Sequence, residues 1–245
     1  MKQLYIDYHN QDDTLVYGTT TTDYNGSYAL HTAESAQDKK LAKNKRDLLL
    51  VKTGFSDLIT LDQTHSETIH IIDNGNKKDF IENSLIQGDG LLAELKGVLM
   101  GISTADCIPI FYFSIDREFI GIVHAGRVGM DKKIHLKMLS LIQERFPEVL
   151  QNLRVIIGAH IKECCYEIGP ELAKSYSSEW IILRNGRFYL NMEKIVRTDL
   201  YQRGLPEKSI TSSDYCTKCS ASPGFYSYRN GNKSERNLSF IGIKG

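Results

Sequence analysis

No stretch of this 245-residue chain strings together the roughly 20 apolar residues that a membrane-spanning helix needs. Neither sign of charge is in surplus: 30 Lys and Arg face 30 Asp and Glu, for a formal net charge of zero. A protein held to nucleic acid by phosphate neutralisation needs a basic excess, so neither a nucleic-acid nor a membrane partner is expected. Five prolines and 19 glycines are too few for a fibrous or low-complexity chain. The opening MKQLYIDYHNQDDT turns polar within a few residues, unlike a secretory signal. The cysteines number five, an odd count without a secretion signal. Free thiols and a cytoplasmic location are therefore expected, rather than a disulfide framework.

What is present suits an ordinary soluble globular protein, with 41% hydrophobic and 24% charged residues. No internal repeat or long linker divides the chain, so residues 1–245 are expected to form one domain. Thr19 to Thr22 favour extended chain and read as part of a strand, followed by a loop with Asn25-Gly26 as a turn. Good helix formers from Ala36 to Thr53 end at Gly54, with Leu41, Leu48, Leu49 and Val51 as the apolar set. Residues 58–61 read as a strand and 73–79 as an exposed loop. The runs 97–102, 108–113 and 119–123 are short, continuous and rich in β-branched and aromatic residues, the pattern of buried strands. A helix is expected over 131–146, a strand over 154–161, a helix beginning at Pro170 and a short strand over 188–190. Asn191 then caps a helix closed by Gly204, and 237–243 is a strand. Strands cluster without strict βαβ alternation, which favours an α+β fold with a mixed sheet.

Side chains able to do chemistry stand where apolar runs end: His65 after Asp62-Gln63-Thr64, Cys107 after Thr104-Ala105-Asp106, and His124 after Ile122-Val123. Such positions leave the core for a cleft. Two imidazoles and a thiolate form an N₂S set for zinc that leaves one tetrahedral position open, the pattern of a catalytic site. Their separations match no compact zinc-finger spacing, and a buried thiol with two satisfied histidines is the alternative.

Five motifs in register narrow the choice. Gln-Thr-His at 63–65, Thr-Ala-Asp-Cys-Ile-Pro-Ile at 104–110, Val-His-Ala-Gly at 123–126, Ile-Gly-Ala-His-Ile-Lys-Glu-Cys-Cys-Tyr-Glu-Ile-Gly at 157–169 and Phe-Tyr-Ser-Tyr-Arg at 225–229 occur in this order. Together they resemble the YfiH-like, laccase-domain family, once called multicopper polyphenol oxidases and later purine nucleoside phosphorylases. The resemblance implies a single-domain α+β fold with mixed, layered β-sheets flanked by helices. It also implies one catalytic Zn²⁺ on His65, Cys107 and His124. The implied activity is phosphorolysis of adenosine, inosine, guanosine and methylthioadenosine, with inorganic phosphate as co-substrate, together with adenosine deamination. Multicopper chemistry fits less well, with seven histidines and no His-X-His pair.

For supporting roles the candidates are Asp106, beside a ligand, and Asp89, in Gln-Gly-Asp-Gly; either can orient a ligand or move a proton. Arg229 can reach an anion or the nucleoside, and Tyr226 and Tyr228 can line the cleft. The chain departs from the family where His-Ala-Gly continues as Arg127-Val128-Gly129 instead of Trp-Arg-Gly, and where no arginine follows Thr21. Arg127 is a candidate replacement cation, and Lys45 stands where the family has an Asn-Arg pair. Short lysine-rich runs, including 43–46, read as solvated faces. His135 reads as a surface histidine and His160 as a partly buried one. Cys164-Cys165 and Cys216-Thr-Lys-Cys219 lack the usual two-knuckle spacing of a structural zinc site, although four thiols can in principle make one. Two rival functions stay open: a thiol hydrolase with Cys107 as nucleophile and His124 as base, and a degenerate, non-catalytic family member.

Overall fold

Successive side chains of a strand point to opposite faces, so a strand that is apolar at every position must be covered on both sides. A computed structural model describes residues 5–7, 14–23, 27–29, 33, 35–83, 85–116 and 118–245. Within it the run Ile108–Ser114 is a central strand between Ile120–Ala125 and Leu153–Ile157, antiparallel to both. Gly90–Ala93 and then Ile69–Ile72 extend this sheet on one side, and Ile210–Ser212 on the other, making six strands. A five-stranded sheet has the order Tyr5–Asp7, Leu15–Thr20, Asn237–Ile243, Val98–Thr104, Leu58–Thr60. A small three-stranded sheet holds Glu167–Ile168, Arg187–Leu190 and Ile181–Arg184.

The two large sheets stack through one apolar layer. Phe111, Phe113 and Ile122 meet Tyr17, Met100, Ile102 and Ile241, and the Tyr17 ring lies 5.4 Å from that of Phe113. The alternate residues Ile110, Tyr112 and Val123 face the other way, onto helices Ile134–Arg145 and Met192–Gln202 through Met138, Ile142, Ile195 and Leu200. Leu99, Leu238 and Phe240 cover the outer face of the five-stranded sheet beside Leu49 of helix Ala36–Thr53. Each such side chain, fully buried, contributes about 1.5–3 kcal/mol. The result is a single-domain α+β fold of helix, sheet, sheet and helix layers, as the sequence leads one to expect.

Helix Ala36–Thr53 has the expected bounds, fixed by a Ser35/Asp38 capping box and a left-handed Gly54 (φ 80°). Its buried face differs from the expected one. Leu41 and Val51 are exposed, while Ala42, Lys45, Arg46, Leu49 and Thr53 are buried. Lys45 and Arg46 are therefore not on a solvated face. The Arg46 guanidinium donates to the Tyr28 carbonyl (2.7 Å) and Thr60 Oγ1 (3.1 Å), which satisfies a charge that burial pulls down to about 10. The helix expected over 131–146 is two, Arg127–Asp131 and Ile134–Arg145, broken where Lys133 takes a left-handed φ of 61°. The loop at 73–79 becomes helical at Lys77, the strand from 154 ends at Ile157, and the helix at Pro170 lasts one turn. The turn at Asn25-Gly26 lies outside the described residues. His135 is a correction: it is fully buried, with Nε2 2.8 Å from Asp199 Oδ2. Among the described residues no helix is long and apolar enough to cross a membrane.

Candidate metal centre and cleft

Cys107 immediately precedes the Ile108–Ser114 strand, and His124 lies on the adjacent Ile120–Ala125 strand opposite Pro109. His65 stands on the loop that leaves the five-stranded sheet after Leu58–Thr60. The loop and these two strands bring the three side chains to one cleft. The donor atoms of His65, Cys107 and His124 all lie within 4.8 Å of one another, so this group can hold a metal ion. His65 Nε2 is 3.8 Å from Cys107 Sγ. Tetrahedral ligation with metal–N near 2.0–2.1 Å and metal–S near 2.3 Å needs an N···S edge of roughly 3.6 Å, so the donors fit. Gly126 allows the approach: a Cβ there would fall 2.7 Å from His65 Cδ2 and 2.9 Å from Cys107 Sγ.

Asp89 organises both histidines. Its carboxylate is fully buried, and Oδ1 is 2.7 Å from His124 Nδ1. It also accepts the backbone N–H of His65 (3.2 Å) and Ser66 (2.6 Å) and the Ser66 hydroxyl (2.6 Å). Burial alone would raise its pKa, but the hydrogen bonds from His124 and Ser66 outweigh burial and lower it. With Nδ1 committed to Asp89, the His124 ring turns Nε2 to the cleft, the arrangement that carboxylate–histidine pairs impose on metal ligands. The same sheet supplies a main-chain tie from His124 N to the Asp89 carbonyl (2.7 Å).

Burial pushes the Cys107 thiol up, yet the His124 charge and hydrogen bonds from both histidines hold it at about 6. Burial likewise favours a neutral His124, but the Cys107 and Asp89 charges raise it to about 9. Each of the two side chains thus favours the charged form of the other, thiolate beside imidazolium. His65 (φ 56°) and Asp106 (φ 92°) both hold left-handed backbone conformations at the site, a strain that the surrounding hydrogen bonds sustain.

A cleft of about 380 Å³ opens over these three donor side chains. Asp106 lies on its wall with both oxygens engaged, Oδ1 by the Thr217 hydroxyl (2.7 Å) and Oδ2 by the Arg229 backbone N–H (2.8 Å). The Arg229 guanidinium sits 4.9 Å from the centre of the Tyr166 ring and donates to the Glu167 carbonyl. Tyr228 also lines the cleft; Tyr226 is not among its lining residues. Arg127 pairs instead with Asp131 at 2.8 Å, outside the cleft lining. Gln63 exchanges two hydrogen bonds with the Ser103 backbone, fixing the His65 loop to the sheet edge.

Arg236 and Tyr166 line the cleft without having been singled out in the sequence. Arg236 precedes the Asn237–Ile243 strand outside any motif, and only the sheet order brings it here. Tyr166 lies within the fourth motif, where the adjacent Cys164-Cys165 pair is the more conspicuous feature.

The model of the multi-copper polyphenol oxidoreductase laccase family matches residues 16–244. A purine nucleoside phosphorylase of Clostridium acetobutylicum is 27% identical over 98% of this chain and 96% of its own length. An adenosine deaminase, RL5, from an unknown prokaryotic organism is 27% identical over 92% of this chain and 86% of its own length. The crystal structure of YlmD from Geobacillus stearothermophilus superposes with a TM-score of 0.85 at 25% identity, covering 100% of this chain and 98% of that one. With its motifs in register and the shared fold, the chain belongs to the multi-copper polyphenol oxidoreductase laccase family.

Proposed function

We propose that the cleft processes purine nucleosides, by phosphorolysis of adenosine, inosine, guanosine and methylthioadenosine and by deamination of adenosine, around one zinc ion on His65, Cys107 and His124. The observation that carries this reading is the convergence of an N₂S donor set, two arginines and two tyrosines on one cleft. The relatives named purine nucleoside phosphorylase and adenosine deaminase support it. The seven histidines, with no His-X-His pair, suit a single-metal reaction better than a multicopper oxidase.

When bound, zinc supplies a Lewis acid that lowers the pKa of coordinated water and polarises a substrate oxygen. The remaining work falls to side chains. Asp89 holds His124 through Nδ1 and the His65 loop through its backbone, so both ligands are set before substrate arrives. Asp106 acts as a positioning residue, tying the Cys107 turn to Thr217 and Arg229. Arg229 and Arg236 hold inorganic phosphate, and Tyr166 and Tyr228 flank the nucleoside. In phosphorolysis a phosphate oxygen attacks ribose C1′, the C1′–N9 bond breaks, and the departing base takes up a proton. In deamination water replaces the 6-amino group, which leaves as ammonia. The five free thiols suit a reducing cytoplasm.

The test is incubation of zinc-loaded protein with adenosine or inosine, with and without phosphate, following base and ammonia release. Phosphate-dependent base release is expected. Absence of turnover in folded, metal-loaded protein selects the non-catalytic alternative.

One observation favours a second reading. The Cys107 thiolate and the His124 imidazolium, with Asp89 behind the ring, also resemble the nucleophile, base and orienting group of a thiol hydrolase. Activity in metal-free protein, abolished by alkylation of Cys107, would select it.

A further inference from the structure

Away from the cleft ligands, the remaining four cysteines converge. Cys164, Cys165, Cys216 and Cys219 place their sulfur atoms within 4.8 Å of one another, although the two pairs are some fifty residues apart in the chain. From this geometry we infer a second metal site, a tetrathiolate centre that takes one zinc ion and serves a structural role.

The spacing suits a cation better than a disulfide. Cys164 Sγ and Cys219 Sγ are 3.6 Å apart. Four sulfurs at about 2.3 Å around a tetrahedral zinc have edges of roughly 3.8 Å, whereas a disulfide needs about 2.05 Å. Both segments are already shaped as turns. Cys165 N and Tyr166 N each donate to the Lys162 carbonyl at 2.9 Å, and Ser220 N donates to the Cys216 carbonyl at 3.0 Å. The Lys162 backbone N–H also points at Cys216 Sγ (3.5 Å), the kind of donor that stabilises a ligating thiolate. Arg184 donates to the Cys164 carbonyl at 2.7 Å, bringing a positive charge beside a centre that carries net negative charge once four thiolates bind one divalent ion. Cys216 is buried and Cys165 half-buried, while Cys164 and Cys219 are exposed, so an ion can enter from the surface.

On binding, the thiol protons pass to solvent and no electrons are exchanged. The ion then clamps two pieces of the cleft wall. Tyr166 follows Cys165 directly, and Thr217, one residue after Cys216, holds Asp106 on the Cys107 turn. The centre lies outside the cleft and touches neither substrate nor the first metal.

Elemental analysis of protein purified under reducing conditions without chelator tests the inference. Two zinc equivalents per chain are expected, with Cys219→Ser and Cys107→Ser each losing one. Cobalt loaded into Cys107→Ser should give the intense sulfur-to-metal charge transfer and visible ligand-field bands of a tetrathiolate site. Cys107→Ser that binds no metal, or a Cys164–Cys219 disulfide in protein kept free of air, would overturn the inference. Should Cys219→Ser not fold, the wild-type count decides: one equivalent without a tetrathiolate cobalt spectrum overturns it as well. Failure of the cleft assignment reads differently, as Cys107→Ser that loses no metal.

Discussion

Asp89 Oδ1 lies 2.7 Å from His124 Nδ1, and the same carboxylate receives the backbone N–H of His65, so one buried acid orients two of the three proposed ligands. Its charge thus supports the three donors without being one of them. Asp89→Asn keeps the volume but loses the anion that fixes the His124 tautomer. Zinc affinity is expected to fall by about 10–100-fold, the usual loss for an orienting carboxylate. Competition with a chromophoric chelator measures this, and an unchanged affinity would make Asp89 a purely architectural residue.

Cys107 is the only thiol lining the cleft among the described residues. Cys107→Ala should lower zinc content and turnover together while far-ultraviolet circular dichroism stays native, because the flanking strand is held by its neighbours on both sides. Unchanged zinc in the cleft of this variant would refute its role as a ligand.

The strand that follows Cys107 and the strand that carries His124 were legible because both of their faces are buried, which leaves continuous apolar runs. His65, Cys107 and His124 were legible as residues that end such runs. Their supports were not. Residues 90–96 read GLLAELK, good helix formers, yet Gly90–Ala93 is a strand because it pairs with Ile69–Ile72 and Ile120–Ala125. That pairing sets Asp89 beside His124, a relation that no local pattern encodes. Lys45, Arg46 and His135 likewise look solvated by composition, and only the backbone and side-chain partners supplied across the fold allow their burial.

Arg229 and Arg236 should divide the work of anion binding. Arg236 is half-buried, and burial lowers its pKa, so a bound anion there would be less screened than at the open surface. Arg236→Ala is expected to raise the KM for phosphate about tenfold or more, with a smaller change in kcat. Arg229→Ala should raise the KM for the nucleoside as well, because its guanidinium packs over Tyr166. Steady-state kinetics with each substrate varied in turn reads the difference. A KM for phosphate unaltered by Arg236→Ala would move the anion elsewhere.

Stability should fall on the acid side of neutrality. Burial lowers the pKa of His135 and of His160 below the ordinary 6.5, outweighing the carboxylates near each, Asp199 for His135 and Glu193 and Glu163 for His160; Lys133 and Lys162 lower them further. Both rings are therefore neutral in the fold and take up protons on unfolding once the pH drops below about 6.5, so the unfolded state gains and stability declines. Asp199, shifted below the ordinary 3.8 by His135 and Lys133 despite its own burial, stabilises the fold above that value and loses its contribution at still lower pH. Urea unfolding at pH 8, 7, 6 and 5 should thus give midpoints that are level above neutrality and fall below it. His135→Gln, which keeps a donor for Asp199 but cannot titrate, should shallow the decline; a slope identical to that of the wild type would remove His135 from the account.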